Sequence, residues 1–258
     1  MRQIMRQAEP LRSMTMTSQQ RIVSLVPSLT EAIALSAPGH LIAATDWCTH
    51  PVDLDVPRIG GTKNPDVAAI VALQPDLVIA NAEENREPDL EALRAAGLQV
   101  HVTDIRTVAG ALQSLRELMN LIDAEDTDWL DRADAAWANP PQVSSSSGGT
   151  LHAVIPIWRR PWMHLGSDTY AGDVLARLGV ANVLAHHPER YPKLALNELP
   201  PHDLVVLPDE PYVFTADDGP EAFPGTPAAL VSGRLLTWYG PAMVDAPEQL
   251  VAALDAAQ

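Results

Sequence analysis

The chain has 258 residues and a formal net charge of −16, from 33 acidic against 17 basic side chains. That balance argues against a nucleic-acid binder, whose phosphate contacts need clustered Lys and Arg, and against attachment to an anionic membrane surface. The length suits one large or two modest domains, and the single cysteine, Cys48, leaves no disulfide within the chain.

Residues 1–20 contain basic side chains but no apolar run of about 7–15 residues and no small-residue cleavage site. They read as a disordered tail without a secretory signal. The expected location is the cytoplasm, or the periplasm if the true start lies elsewhere. No stretch approaches the roughly 20 apolar residues of a membrane span.

Residues 22–26 form a short β-branched strand ended by Pro27, and Ser28 or Thr30 caps a helix running to Ser36. Residues 41–44 are a second strand, with a loop from Thr45 to Pro51 at its C-terminal end. After the Gly-Gly loop over 58–65, Asp66 caps a helix at 67–73. A strand at 77–80, a polar loop at 81–88, a helix at 89–96 stopped by Gly97 and a strand at 100–102 follow. The helix at 107–121 carries Val108, Ala111, Leu112, Leu115, Leu118 and Met119 at helical spacing. An acidic run over 123–128 breaks it, and a second helix over 128–138 ends before Pro140-Pro141. Residues 142–150, rich in Ser and Gly, read as a flexible connection. Beyond it lie a strand signal at 151–158, a helix at 169–178 stopped by Gly179 and a buried strand at 205–207. A long loop over 208–227, a late strand at 235–238 and a terminal helix at 247–257 complete the chain.

One pattern occurs twice. A strand signal opens each half, at 21–31 and 151–158, and each half has a second strand introduced by proline, Pro75-Asp76-Leu77 and Pro201-His202-Asp203-Leu204. Strands alternating with helices imply βαβ units and parallel sheets. The expected fold is α/β, two Rossmann-like lobes with parallel sheets bridged by a helix. The lobes would span 21–106 and 142–258, the helical bridge 107–141, and a ligand cleft would lie between the lobes.

Enzyme signatures are absent. There is no Gly-x-Gly-x-x-Gly, P-loop or Gly-x-Ser-x-Gly, so no nucleotide cofactor is expected. The histidines are scattered, and His50 and His164 are the candidate metal ligands. Glu83-Glu84 reads as a solvated loop pair and Cys48 as a packed residue. The scarce aromatics gather at strand ends and loops: Trp47, Trp158, Trp162, Tyr191, Trp238 and Tyr239 among them. A parallel sheet exposes its ligand-binding edge there, and aromatic faces suit a large flat ligand.

The segments Arg21–Glu31, Thr45-Asp46-Trp47-Cys48-Thr49-His50-Pro51, Gly60–Asp66, Leu73–Ile79 and Thr169–Val183, in that order, resemble the helical-backbone (class III) substrate-binding proteins. That family includes binders of cobalamin, ferric siderophores and haem. The resemblance implies a non-catalytic binder of cobalamin, a related corrinoid, or a similar tetrapyrrole or metal chelate. It implies that Trp47 and Trp162 stack on the ligand from opposite sides and that Trp158, Tyr191, Trp238 and Tyr239 complete the apolar wall. Asp46, Asn81 and Asp168 would bond its peripheral amides. Arg86, Arg159 and Arg160 would suit an anionic ligand instead. The alternatives are a solute-binding subunit of an ABC importer for cobalamin or a ferric siderophore and, further off, a metal-dependent enzyme using His50 and His164. The family's two permease-docking glutamates fall at Ala68 and Asn197 here, with Glu198 adjacent to the second, so docking glutamates are expected to be absent.

Overall fold

The computed structural model describes residues 19–144 and 149–258, so residues 1–18 of the expected tail and 145–148 of the expected connection lie outside the described residues. In chain order the first lobe holds β1 (Ile22–Ser24), α1 (Pro27–Ser36), β2 (Leu41–Ala44), α2 (Val67–Leu73), β3 (Leu77–Asn81), α3 (Glu87–Ala95) and β4 (Val100–Thr103). Two helices follow, α4 (Val108–Leu121) and α5 (Asp128–Ala138). The second lobe holds β5 (Leu151–Val154), β6 (Pro156–Arg159), β7 (Trp162–His164), α6 (Tyr170–Arg177), β8 (Val180–Asn182), β9 (Leu204–Pro208), β10 (Ala228–Val231), α7 (Gly233–Thr237) and α8 (Ala246–Asp255).

The first sheet has the order β2-β1-β3-β4 and the second β8-β5-β9-β10, all parallel. Numbered within its own lobe, each sheet reads 2-1-3-4. The repeated sequence pattern therefore corresponds to a repeated topology. Lobe two adds an antiparallel hairpin, β6–β7, directly after its first strand.

The central strands are buried on both faces, as a parallel sheet covered on both sides requires. Successive side chains go to opposite faces. Ile22 and Ile79 join one cluster, while Val23, Val78 and Ala80 join another with Ile70, Leu90 and Leu93. In lobe two, Leu204 and Val206 face the first of these clusters, and Val205 and Leu207 pack outward against Phe214 and Phe223. One core thus runs from lobe one through α4 and α5 into lobe two. Two tryptophans of α5 pin this core: Trp129 Nε1 donates to Ser36 Oγ at 2.7 Å, and Trp137 Nε1 donates to the Met243 carbonyl at 2.9 Å.

Several expectations needed correction. α1 begins with Pro27, and its N-cap Val26 offers no side-chain cap. Thr30 instead donates to the Val26 carbonyl at 2.9 Å, which satisfies the hydroxyl inside the helix. The expected strand at 235–238 is helical, α7, capped by Ser232 accepting from Leu235 N. A four-residue, mostly apolar run carries no period of its own, so the cap decides. The strand of that region is β10, at the end of the expected loop, and β8 and the β6–β7 hairpin were not resolved as separate elements in the sequence. Asp66 does cap α2, accepting from Ala69 N at 2.9 Å.

Candidate functional site

The C-terminal ends of the two sheets meet. Glu83 and Glu84 follow β3, and Arg190 follows β8. Arg190 Nη2 reaches Glu83 Oε2 at 2.9 Å, and its Nε donates to the Asp168 carbonyl at 2.9 Å. Arg106, after β4, pairs with the Asp168 carboxylate. The Tyr239 hydroxyl donates to Glu84 Oε1 at 3.3 Å, and the His50 ring meets the Trp238 ring edge-on at 5.4 Å. These contacts all cross between lobes or close the cleft from the α7 side. Residues 189–192 lie close enough to β7 that a Cβ at Gly166 would sit 2.2 Å from the Glu189 carbonyl oxygen. Only glycine permits that approach.

Trp47 is 65% exposed. It sits on a rigid loop, because Arg58 Nη1 donates to the Thr45 and Cys48 carbonyls at 3.0 and 2.8 Å, and Nη2 to the Leu54 carbonyl at 3.2 Å. The Cys48 thiol is buried between the Thr30 and Thr45 hydroxyls, and burial pushes its pKa up, which suits a packed residue and not a nucleophile. Trp158 is 41% exposed and meets Tyr212 edge-on. Trp47 and Val52 lie in the loop after β2, Val213 in the loop after β9, and Trp158 in β6, the strand directly after β5; together they are most of the large exposed apolar side chains described. Isolated exposed apolar groups need no explanation, but a set on one edge does.

The other expected residues are placed differently. Trp162 is half-buried, stacked parallel to Phe214 at 6.2 Å with the Arg159 guanidinium 5.4 Å from its ring centroid. It is less free than Trp158 to take up a ligand face. Tyr191 is half-buried beneath Arg190. Trp238 and Tyr239 are core residues, 9% and 5% exposed. Trp238 Nε1 donates to Glu210 Oε2 at 3.1 Å, and Tyr239 packs edge-on against Tyr170, so the two make the floor of the cleft and not its wall. Asp46 is exposed beside Trp47, and Asp168 is exposed but paired with Arg106. Asn81 is a correction. It is buried, and its side chain is consumed by the turn after β3: Nδ2 donates to Thr103 Oγ1, and Oδ1 accepts from the Glu83 and Glu84 amides. At 2% exposure its remaining Nδ2 hydrogen is closed off from a ligand amide.

The metal pair is also corrected. His164 is fully buried behind Trp162, with Nε2 3.2 Å from the Leu194 carbonyl, while His50 lies against Trp238. Burial lowers the His164 pKa, disfavouring the charged ring. Among the described residues no three His, Cys, Asp or Glu side chains gather to hold a metal ion.

Glu84 is the residue sequence reasoning missed. Its place directly after a buried central strand was the available signal. Burial pushes its carboxyl up to about 7; the Tyr239 hydrogen bond opposes the rise and the Glu83 charge adds to it. Burial raises Glu210 as well. Because the folded state favours protonated Glu84, this group's contribution to stability is complete below about pH 4.5 and is lost as pH rises through about 7. The loss should be about 1–3 kcal/mol. Glu84→Gln should therefore unfold at higher urea than wild type at pH 8 and at the same urea near pH 4. Parallel pH profiles for the two proteins would remove Glu84 as the source.

Two grooves flank this region. One of about 700 Å³ lies on the back of α4 and α5, lined by Leu112, Arg116, Trp137 and Arg177, away from the strand ends. The other, about 490 Å³, is lined by residues 159–162 and 193–195 beside the hairpin. The first is the larger, but only the second adjoins segments that reach the cleft.

A family model described as periplasmic binding protein matches residues 22–199. The vitamin B12-binding protein of Vibrio campbellii is 25% identical over 186 residues, covering 70% of this chain and 66% of that protein. That of Pectobacterium carotovorum is 23% identical, covering 70% and 67%. The chain thus spans about two thirds of the length of these curated relatives. Among solved structures, the periplasmic vitamin B12-binding protein of Vibrio cholerae superposes with a TM-score of 0.69 at 19% identity, covering 93% of this chain and 98% of that one. A periplasmic haem-binding protein of Roseiflexus superposes at 0.72 and 21% identity, covering 93% and 100%. At these identities the superpositions establish the fold.

Proposed function

The chain belongs to the periplasmic binding protein family, and from that premise we propose that it is a non-catalytic receptor holding a corrinoid between its two lobes. The observation that carries this reading is the exposed apolar edge, with Trp47 on lobe one and Trp158 on lobe two. Large flat ligands are bound by aromatic faces on rigid supports, and the Arg58 brace under Trp47 provides one. The curated relatives named vitamin B12-binding favour a corrinoid over haem. Visible-absorbance titration with cyanocobalamin, followed by challenge with haem, tests this. Retention of the corrinoid is the expected result, and displacement by equimolar haem would transfer the site to haem.

A second reading concerns place and partner. The solved neighbours are described as periplasmic, so they lend nothing to a cytoplasmic location. Among the described residues no helix is long and apolar enough to cross a membrane. Work as the binding subunit of an ABC importer fits the family, with Glu198 the carboxylate nearest one expected docking position. Fractionation of cells carrying the tagged protein separates the two locations.

The shared core through α4 and α5 leaves little freedom for a hinge, since packed cores shift between discrete arrangements and do not bend continuously. Small-angle scattering should give the same radius of gyration, within error, with and without cyanocobalamin. A clear contraction on binding would show a closing hinge instead.

A further inference from the structure

The groove beside the β6–β7 hairpin is lined by three cations, Arg159, Arg160 and Lys193. Of its three cations, Arg159 is spent, pairing with Asp218 and Glu221. Arg160 and Lys193 are both exposed, and neither has an acidic side chain within 4 Å among the described residues. The nearest carboxylates in sequence are Glu189 and Glu198, four and five residues from Lys193; neither pairs with it, and Glu198 is turned to the Ala195 amide at 2.6 Å. On a chain with a net charge of −16, Arg160 and Lys193 are thus two cations in one groove that no carboxylate holds.

One wall of the groove is built by a segment that leads out of the cleft. Residues 190–194 run alongside β7, with Gly166 N donating to the Arg190 carbonyl at 2.8 Å and His164 N to the Pro192 carbonyl at 3.0 Å. Arg190 stands in the cleft, paired with Glu83. Lys193 is three residues further along this extended segment, about 10 Å away at roughly 3.3 Å per residue. Arg160, at the hairpin turn, and the half-buried Trp162 line the same groove as Lys193.

We propose that Arg160 and Lys193 form the anion-binding end of the ligand site and hold the phosphodiester of a complete corrinoid's nucleotide loop. The assignment rests on the corrinoid reading above and adds a specificity to it. A flat ring held between the lobes would bring its nucleotide loop within reach of the hairpin, where a phosphate would meet an arginine and a lysine that no carboxylate already holds. Charge-assisted contacts of this kind discriminate strongly against a ligand that lacks the anion.

The test compares cyanocobalamin with dicyanocobinamide, which keeps the ring but lacks the phosphate and base. Wild type, the double variant Arg160→Gln/Lys193→Gln, and Arg132→Gln as an exposed charge control are titrated with each. Wild type should favour cyanocobalamin by about tenfold or more, and the double variant should lose that preference while binding cobinamide unchanged. The control should behave as wild type. A double variant that keeps the cobalamin-to-cobinamide ratio of wild type overturns this proposal alone. Binding of neither corrinoid by wild type overturns the corrinoid reading and this assignment together.

Discussion

Trp47→Ala should weaken cyanocobalamin binding by about 10- to 100-fold without changing the melting temperature by more than a degree or two. A tryptophan ring covers on the order of 150–250 Å² when buried. At about 25 cal/mol per Å² its transfer from water sets an upper limit of several kcal/mol. Part of that is offset by ordering at the interface, leaving about 1.5–3 kcal/mol, the size of an aromatic hot spot. The ring is 65% exposed in the unliganded chain, so little native packing is lost on truncation. The loop itself is held by Arg58 and by the buried Cys48, neither of which depends on the indole. Paired titration and thermal unfolding measure both quantities. An affinity equal to wild type would remove Trp47 from the site, and a large loss of melting temperature would make it a structural residue.

Trp137→Ala should cost about 3–5 kcal/mol of stability. The side chain is 3% exposed in the core that joins both lobes, and its indole nitrogen satisfies the Met243 carbonyl. Truncation leaves a cavity in the middle of that core and a buried carbonyl without its donor, and the two costs add. For a protein stable by about 5–15 kcal/mol this is a large share of the total. Trp137→Phe keeps much of the volume and loses the donor, so it should cost less than the alanine variant. Urea unfolding at constant slope measures both. Two variants of equal and small effect would show that α5 does not tie the lobes together.

Much of the fold was legible because the local signals agreed with the global ones. The β-branched strands at 22–24 and 77–81, Asp66 as a cap, and Gly97 and Gly179 as stops each have one physical reading. Legibility failed where a short segment depends on its neighbours. Residues 235–238 are apolar under either period, and Ser232 and Glu210 decide their conformation from outside the run. β10 is a strand because β9 supplies its ladder, which no window of Ala-Ala-Leu-Val reveals.

The candidate site was legible by position more than by role. Strand-end aromatics named one edge, and exposure separates them into Trp47 and Trp158, open to solvent, and Trp238 and Tyr239, closed in the floor. That distinction comes from packing between lobes and has no local signature. Asn81 was a ligand contact only by the resemblance, but it is buried, with Nδ2 bonded to Thr103 and Oδ1 to the Glu83 and Glu84 amides. Glu84 looked like a solvated loop residue, but the opposite lobe covers it with Tyr239.

Calorimetric titration of the full chain with cyanocobalamin is the most direct test of the central claim. A single site per chain with micromolar or tighter affinity is the expected result. Absence of binding to cyanocobalamin, with haem or a ferric siderophore binding in its place, would contradict it.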